Sequence, residues 1–157
     1  MTKISILEYL QRQLEGNLTP DMKSSMNYPT KISNTLKMEI VAVARGTAAV
    51  EIDADASVHG NQQGTVHGGL ISELADAAIG TAHSTLADEG SSFTTIELKI
   101  NFYRPVWRSK LQASARPLNV GKTIAHYICE VSNEEGKIVA VATSTIMNLY
   151  NDKAFGR

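Results

Sequence analysis

One stretch of this chain, residues 68–86, has the periodicity of a long helix, and the segments around it have the character of strands. Placed at about 100° per residue, its apolar side chains share one broad arc. The arc holds Leu70, Ile71, Leu74, Ala75, Ala78, Ile79 and Ala82. The opposite side holds Ser72, Glu73, Asp76, Gly80 and His83. Because many of these residues are small, the pattern predicts one helix lying close against a sheet.

Six strand-like segments accompany that helix. Residues 36–44 and 47–54 precede it, are rich in β-branched and apolar residues, and are joined by a predicted hairpin turn at Arg45-Gly46. One segment follows the helix directly. The three segments after that are 110–118, 123–132 and 137–148. Short turn-like connections join them, so the order β-β-α-β-β-β-β predicts an antiparallel α+β domain with one sheet around one helix.

The segment directly after the helix, residues 95–103, alternates strictly between apolar and polar side chains. Its apolar members are Ile96, Leu98, Ile100 and Phe102. A period of two predicts a strand that is covered on one face only. Ile96 and Leu98 are therefore expected to face the helix, and Thr95 is expected to lie on the opposite face.

The N-terminal part reads as a separate helix and a connector. Ile6, Leu7, Leu10 and Leu14 recur at helical spacing, and a Gly-Asn pair at 16–17 is typical of a helix end. Prolines in the following stretch favour a loop, with room for one short helical turn. We therefore divide the chain into an N-terminal helix and connector (1–34), a main domain (35–150) and a C-terminal tail (151–157).

Composition excludes several classes of partner. The chain has 157 residues and a formal net charge of −1, which gives no electrostatic signal for nucleic acid or an anionic membrane. Cys129 is the single cysteine, so an intrachain disulfide and a cysteine-based metal cluster are excluded. We expect no signal peptide, because polar residues interrupt the N-terminal segment, and no apolar run approaches the roughly 20 residues needed to span a bilayer. We expect a soluble, cytoplasmic protein with no membrane partner.

The segment that carries chemistry is the start of the long helix. A polar loop from Asn61 ends in His67-Gly68-Gly69, and Asp76 follows the histidine by nine residues on the same helix. Glycines at a helix start leave backbone N–H groups uncovered at the positive end of the helix dipole, where a carbonyl oxygen or oxyanion can bind. A carboxylate further along supplies a candidate base or nucleophile.

The spacing of these two features constrains how they cooperate. Nine residues at about 1.5 Å each separate His67 from Asp76 by roughly 13 Å along the helix. The N–H donors at the helix start and the Asp76 carboxylate of one subunit therefore cannot easily contact the same carbonyl group. If both groups act on the same carbonyl, two chains must meet in a two-fold arrangement with two shared sites.

Each of these residues also has a purely structural interpretation. Asp76 and its neighbour Glu73 could be solvated surface acids, and we expect Glu73 to lie on the surface or behind the site. His67 could fix the loop by a hydrogen bond, and Asn61 could make a local turn. The two glycines could serve only a tight turn. His83 and His126 are expected to be non-catalytic.

Four motifs together resemble a known family. They are Gly64-Thr-Val-His67-Gly68-Gly69, Leu74-Ala-Asp76, Thr95-Ile-Glu97-Leu98 and Phe102-Tyr-Arg104-Pro105. In this order they resemble the hotdog-fold acyl-CoA thioesterases, most closely the phenylacetic-acid-degradation and 4-hydroxybenzoyl-CoA (Arthrobacter-type) branch. The resemblance covers residues 35–150. It implies a hotdog fold, in which an antiparallel sheet wraps around one long central helix.

The resemblance also implies roles for individual residues. It implies that the Gly68 amide polarises the thioester carbonyl and that Asp76 acts as nucleophile or general base. Asn61 takes the place of a residue that positions the water or nucleophile, and Thr95 is the nearest counterpart of an assisting hydroxyl. His67 and Gly69 would position the loop. Active sites of this family form at a dimer interface, so we expect a homodimer, with dimers pairing into tetramers.

We therefore expect an acyl-CoA thioesterase acting on a medium-chain or aryl-acyl group. Coenzyme A is part of the substrate, and no metal or other cofactor is expected, because the four histidines lack zinc-site spacing. Basic and polar residues beside turns are candidates for contacts with the phosphates of coenzyme A. They are Arg104, Arg116, Asn119 and Lys122.

Two other functions compete with this one. A hotdog hydratase or dehydratase would carry an Asp-x-x-x-x-His motif, which Asp53 and Asp55 each miss by one position from His59. A non-catalytic acyl-CoA-binding module would bind the thioester without cleaving it. Such a regulatory protein would normally add a DNA-binding segment, and the N-terminal extension is neither basic nor similar to a helix-turn-helix.

Overall fold

The computed structural model describes residues 2–154 as four helices, eight strands and a terminal 3₁₀ turn. The helices are α1 (Ile6–Leu14), α2 (Lys31–Leu36), α3 (Ala56–His59) and α4 (Gly68–Ser84), and the 3₁₀ turn is Asn151–Ala154. The strands are β1 (Thr2–Lys3), β2 (Met22–Lys23), β3 (Glu39–Ala44), β4 (Thr47–Asp55), β5 (Ser92–Phe102), β6 (Arg108–Val120), β7 (Ile124–Asn133) and β8 (Ile138–Leu149).

The main sheet has six strands in the order β3-β4-β6-β7-β8-β5, and every neighbouring pair is antiparallel. The two-residue strands β1 and β2 form a separate parallel pair. Helix α4 lies across the inner face of the large sheet and buries its predicted apolar arc there. Leu74, Ala75, Ala78, Ile79 and Ala82 are completely buried. The predicted α+β hotdog fold is confirmed.

The N-terminal helix is also confirmed, and the connector holds more structure than predicted. Ser5 caps α1 by accepting a hydrogen bond from the Glu8 amide at 3.1 Å, and α1 buries Ile6 and Leu10. The prediction that a strand begins at residue 36 is wrong. Leu36 ends α2, and Lys37 turns the chain in a left-handed conformation before β3 begins at Glu39.

The predicted faces of β5 need one correction, which bears on the site. Thr95 pairs with Ile146 and Glu97 pairs with Thr145, so Ile96 is the extra residue of a β-bulge. A bulge re-aims the residues on either side of it. Ile96 is consequently exposed (53%) rather than turned to the helix. Thr95, expected on the opposite face, instead lies on the helix-facing side together with Leu98.

His83 is the second correction, since helical periodicity places it on the polar side of α4 and the structure buries it. Its Nε2 lies 2.7 Å from Asn148 Oδ1, and its Nδ1 lies 3.2 Å from the Tyr127 hydroxyl. Phe93 and Tyr127 pack edge-on against the ring. Burial holds the pKa of His83 below its usual value. The residue is therefore a satisfied core histidine.

Of the predicted tail at 151–157, residues 151–154 form the 3₁₀ turn and residues 155–157 lie outside the described part. Within residues 2–154, no helix combines the length and apolar character needed to cross a membrane.

Candidate active site

The start of α4 is fixed by the loop before it. His67 is the N-cap residue, and its Nδ1 accepts a hydrogen bond from the Gly69 amide at 2.8 Å. The His67 amide donates to the His59 carbonyl at 2.8 Å, and the Val66 amide donates to the Val106 carbonyl at 2.7 Å. The imidazole of His67 therefore satisfies the second amide of the helix. The two backbone hydrogen bonds anchor the loop that leads into the helix.

The first amide of α4, that of Gly68, is left free by this arrangement. In the described part of the chain, the N–H of Gly68 has no hydrogen-bond acceptor. A Cβ at this position would lie 3.0 Å from the ring of Phe102. The Gly68 N–H thus stands at the positive end of the α4 dipole, beside an aromatic side chain, where it can donate to a carbonyl oxygen.

Asn61 organises the loop that leads to the histidine. Its Oδ1 accepts hydrogen bonds from the amides of Gln63 (2.9 Å) and Thr65 (3.1 Å), and its Nδ2 donates to Thr65 Oγ1 at 3.0 Å. Its amide N–H donates to the Thr65 carbonyl at 2.8 Å. In the single chain the Asn61 side chain therefore stabilises a local turn. The second hydrogen of its Nδ2 group remains for another partner.

Asp76 lies two turns further along α4, half-buried, and Thr95 of β5 lies beside it. The Thr95 hydroxyl donates to Asp76 Oδ1 at 3.2 Å. Burial raises the pKa of Asp76 above its ordinary value, and the Thr95 hydrogen bond partly opposes that rise. Burial and the charge of Asp76 likewise raise the pKa of Glu73. A carboxylate with reduced solvation is a stronger base and nucleophile than one in water.

Both carboxylates line a cleft with a volume of about 820 Å³. Helix α4 forms one wall of it with Glu73, Asp76, Ala77 and Gly80. The opposite wall comes from the N-terminal part of the chain, from α1 through the connector to α2 and the beginning of β3. Sequence reasoning missed this wall, because residues far apart in the chain form it and their own pattern is that of a connector.

Gly68 and Asp76 do not meet within one chain. They are separated by eight residues of the unbroken helix α4, which is about 12 Å along its axis. Gly68 and Asn61 are also absent from the lining of the cleft that holds Asp76. The structure therefore brings Thr95 and Glu73 to Asp76, and brings His67 and Gly69 to Gly68, as two separate groups.

The candidate contacts for coenzyme A lie at opposite ends of the sheet. Arg104 follows β5 near the start of α4, and its guanidinium donates to the Ile138 carbonyl. Arg116 and Asn119 lie in the last third of β6, and Lys122 lies in the turn that follows. Strand β6 has 13 residues, or roughly 40 Å, so one chain cannot bring Arg104 and Lys122 to one phosphate group.

Asp55, one of the two acidic residues of the hydratase alternative, has a structural role. Asp55 caps α3 through a hydrogen bond from the Ser57 amide at 2.8 Å and pairs with Arg108 at 3.0 Å. The Asp55 amide donates to His59 Nδ1 at 3.2 Å. Among residues 2–154, no three His, Cys, Asp or Glu side chains cluster as metal ligands would.

A long helix held in an antiparallel sheet, with a capped glycine start and a carboxylate further along, defines the hotdog class of enzymes. Residues 63–140 match the Thioesterase superfamily. A provisionally named esterase of Archaeoglobus fulgidus is 30% identical over 139 residues, which cover 88% of each chain. The chain belongs to the thioesterase superfamily, and it is a thioester hydrolase.

Two further relatives carry more specific names. The medium/long-chain acyl-CoA thioesterase YigI of Escherichia coli is 28% identical over 134 residues, covering 76% of this chain and 86% of that protein. The solved structure of a mutant phenylacetic acid degradation protein from Thermus thermophilus is 28% identical, with a TM-score of 0.69, and covers 75% of this chain and 98% of its own. Acyl-CoA thioesterases are thus among the relatives of this chain.

Proposed function

We propose that this protein is a cytoplasmic acyl-CoA thioesterase that hydrolyses a medium-chain or aryl-acyl thioester to the free acid and coenzyme A, without a metal or other cofactor. The observation that carries the proposal is that helix α4 holds both a Gly68 N–H with no acceptor in the described residues and, two turns further on, a half-buried Asp76 that lines a large cleft. A thioester needs little more, since one donor for the oxyanion and one carboxylate suffice. Relatives that bear acyl-CoA thioesterase names support the substrate class.

The two groups act together when a second chain supplies one of them. Strand β5 is an edge of the sheet, and along its 11 residues no described strand pairs with its outer side. On and just after it, large apolar side chains are exposed. They are Ile96, Phe102, Tyr103 and Trp107. A long free edge with exposed apolar residues favours pairing with another chain.

Two-fold pairing of β5 edges would run the strands antiparallel and set the helices α4 of two chains side by side. The start of one helix would then approach the middle of the other, which joins Gly68 of one protomer to Asp76 of its partner. The same pairing would bring the Arg104 end of one sheet toward the Lys122 end of the next. We propose a homodimer with two shared sites, and a dimer of dimers as the assembly.

In the proposed reaction the Gly68 N–H donates to the thioester carbonyl oxygen, which becomes an oxyanion. Asp76 either attacks the carbonyl carbon directly or removes a proton from the water that attacks it. Thr95 holds the carboxylate in place, and His67 with Gly69 holds the amide. The carbon–sulfur bond then breaks and coenzyme A leaves as the thiolate.

Thiol release from a panel of acyl-CoA substrates tests the function. The proposal expects catalytic release of one thiol for each acyl-CoA consumed, with a preference among medium-chain or aryl-acyl groups. Saturable binding without thiol release would establish the non-catalytic module instead. Single-turnover hydrolysis in H₂¹⁸O then separates the two routes. Water activated by Asp76 puts ¹⁸O into the acid product, whereas direct attack forms a mixed anhydride, and water that attacks its Asp76 carbonyl leaves ¹⁸O in the enzyme and the first product unlabelled.

A further inference from the structure

The wall of the Asp76 cleft that faces α4 is built from the N-terminal part of the chain. We name this part the N-terminal wall and define it as the cleft-lining residues from 13 to 40. Its aliphatic and thioether members are Leu14 of α1, Met26 of the connector, Ile32 of α2, Met38 and Ile40. Tyr28 and Pro29 also belong to it, and its remaining members are polar or charged. The family match begins only at residue 63, so this wall lies outside the matched segment.

The N-terminal wall presents apolar surface that no part of the described chain covers. Leu14 is 42% exposed and Ile32 is 45% exposed, and both line the cleft. Aliphatic and thioether side chains predominate in its apolar part, and methionine adapts its shape to irregular apolar partners. Uncovered aliphatic surface beside a catalytic carboxylate is suited to a flexible hydrocarbon chain.

Gly80 provides the opening between Asp76 and this wall. It follows Asp76 by four residues on the same side of α4, which is about 6 Å along the axis. Beyond the adjoining residues and the neighbouring backbone of α4, a Cβ built at Gly80 meets no heavy atom within 4 Å, and Gly80 lines the cleft. Glycine inside a helix is less favourable than alanine, and nothing in the packing requires it here. The helix therefore leaves open space at Gly80.

A direct hydrogen bond fastens the wall to the same helix. The Tyr28 hydroxyl donates to Ser84 Oγ at 2.7 Å, and Ser84 Oγ donates to the Thr81 carbonyl at 2.7 Å. Tyr28 and Thr81 both line the cleft. The connector is thus held at a fixed distance from α4, so the width of the cleft beyond Gly80 is set by the fold.

We propose that the cleft is an acyl pocket for straight aliphatic chains, in which the chain passes Gly80 and ends on the N-terminal wall. Gly80 then determines the longest acyl group that is accepted. This assignment rests on the proposed thioesterase function, because it takes Asp76 as the point where the thioester lies. An acetyl group ends near Asp76, whereas a decanoyl group must pass Gly80.

The test compares wild type, Gly80→Ala and Gly80→Leu on a ladder of acyl-CoA substrates from acetyl to decanoyl, with phenylacetyl-CoA included. Binding of the matching non-hydrolysable thioethers is measured by calorimetry. In wild type each added methylene should tighten binding by up to roughly fourfold. Gly80→Leu should cut decanoyl binding and kcat/KM at least tenfold and leave the acetyl compounds within twofold. Gly80→Ala should give an intermediate profile.

A second pair of variants tests the wall itself. Ile32→Ser removes an exposed apolar residue that lines the cleft, whereas Val41→Ser removes one that is 37% exposed on β3 outside the cleft. Only Ile32→Ser should weaken the decanoyl thioether relative to the acetyl thioether. Circular dichroism and thermal melting check that each variant is folded.

Three results would overturn the proposal or separate it from the assigned activity. An unchanged chain-length profile in folded Gly80→Leu rejects the pocket. The straight-chain assignment is rejected if phenylacetyl and decanoyl compounds bind wild type equally well and Gly80→Leu weakens the binding of both by the same factor. Chain-length-dependent thioether binding that Gly80→Leu abolishes, in a protein that hydrolyses nothing, supports the pocket and rejects the thioesterase function.

Discussion

Helix α4 carries glycines at two places, and their surroundings differ. At its start, a Cβ on Gly68 would lie 3.0 Å from the Phe102 ring, and one on Gly69 would lie 2.9 Å from His67 Nδ1. At Gly80, no heavy atom other than the adjoining residues and the neighbouring backbone of α4 lies within 4 Å of such a Cβ. The first two glycines lie in close contacts around a backbone donor. The third leaves space beside a carboxylate.

The comparison separates the two halves of the proposed chemistry. The helix start is fixed by short backbone hydrogen bonds, and its proposed role depends on an N–H group. The middle of the helix faces an open cleft, and its proposed role depends on a side chain and on the volume beside it. Substitutions at the helix start and in its middle should therefore change activity in different ways.

The largest effect is expected for Asp76→Asn, which keeps the shape of the side chain but removes the base. We expect kcat to fall by on the order of 10³. Glu73→Gln is the matched control, because Glu73 lines the same cleft and its pKa is also raised by burial. Steady-state thiol release should show a much smaller loss for the control. Equal losses would contradict the assignment of Asp76.

A loss of about 100-fold is expected for Gly68→Pro, because it removes the proposed oxyanion donor. Proline suits the first position of a helix, and His67 has the extended conformation (φ −64°, ψ 132°) that precedes proline well. Gly68→Ala is the control, since it adds a similar contact with Phe102 but keeps the N–H. If both variants lost activity equally, the Phe102 contact and not the N–H would explain the loss.

Thr95→Val should change the pH dependence more than the maximal rate. The proposed base must be ionised, so activity is lost as the pH falls through the raised pKa of Asp76. The Thr95 hydrogen bond lowers that pKa. Its removal should therefore move the acidic limb of the kcat profile to higher pH. A limb that stays in place, or moves to lower pH, would show that Asp76 is not the group observed.

The smallest effect is on stability. Gly80→Ala should raise the free energy of unfolding by about 0.5–1 kcal/mol, because alanine favours the helix and the space at Gly80 accommodates its methyl group. Denaturant melts of the purified protein measure this. A destabilised Gly80→Ala variant would mean that the space at Gly80 is filled in solution.

The sequence predicted the fold well because periodicity is a local property. The apolar arc of α4 and the alternation of the strands translate directly into burial against one sheet. The face of Thr95 was predicted wrongly, since the bulge at Ile96 depends on pairing with β8, which a strict period of two does not reveal. The strand start at residue 36 was wrong because Thr30 caps a short helix that ends at Leu36.

Part of the candidate site could be predicted because a motif and a spacing, like periodicity, are local properties of the sequence. The motif around His67 and the spacing to Asp76 are visible in the chain, and both lie where the helix geometry puts them. The cleft was not predicted, because the N-terminal wall is assembled from residues 13–40 and its apolar members follow no single period. Periodicity placed Gly80 on the same side as Asp76, but the space beside it is a tertiary property.

The central claim is that Gly68 of one protomer and Asp76 of its partner form one active site. Mixed dimers of Gly68→Pro and Asp76→Asn chains, purified through two different affinity tags, test it most directly. Each mixed dimer would hold one intact site and one doubly disabled site, so about half of the wild-type kcat per dimer should return. If the mixed dimer were as inactive as either parent, the sites would lie within single chains and the account would be contradicted.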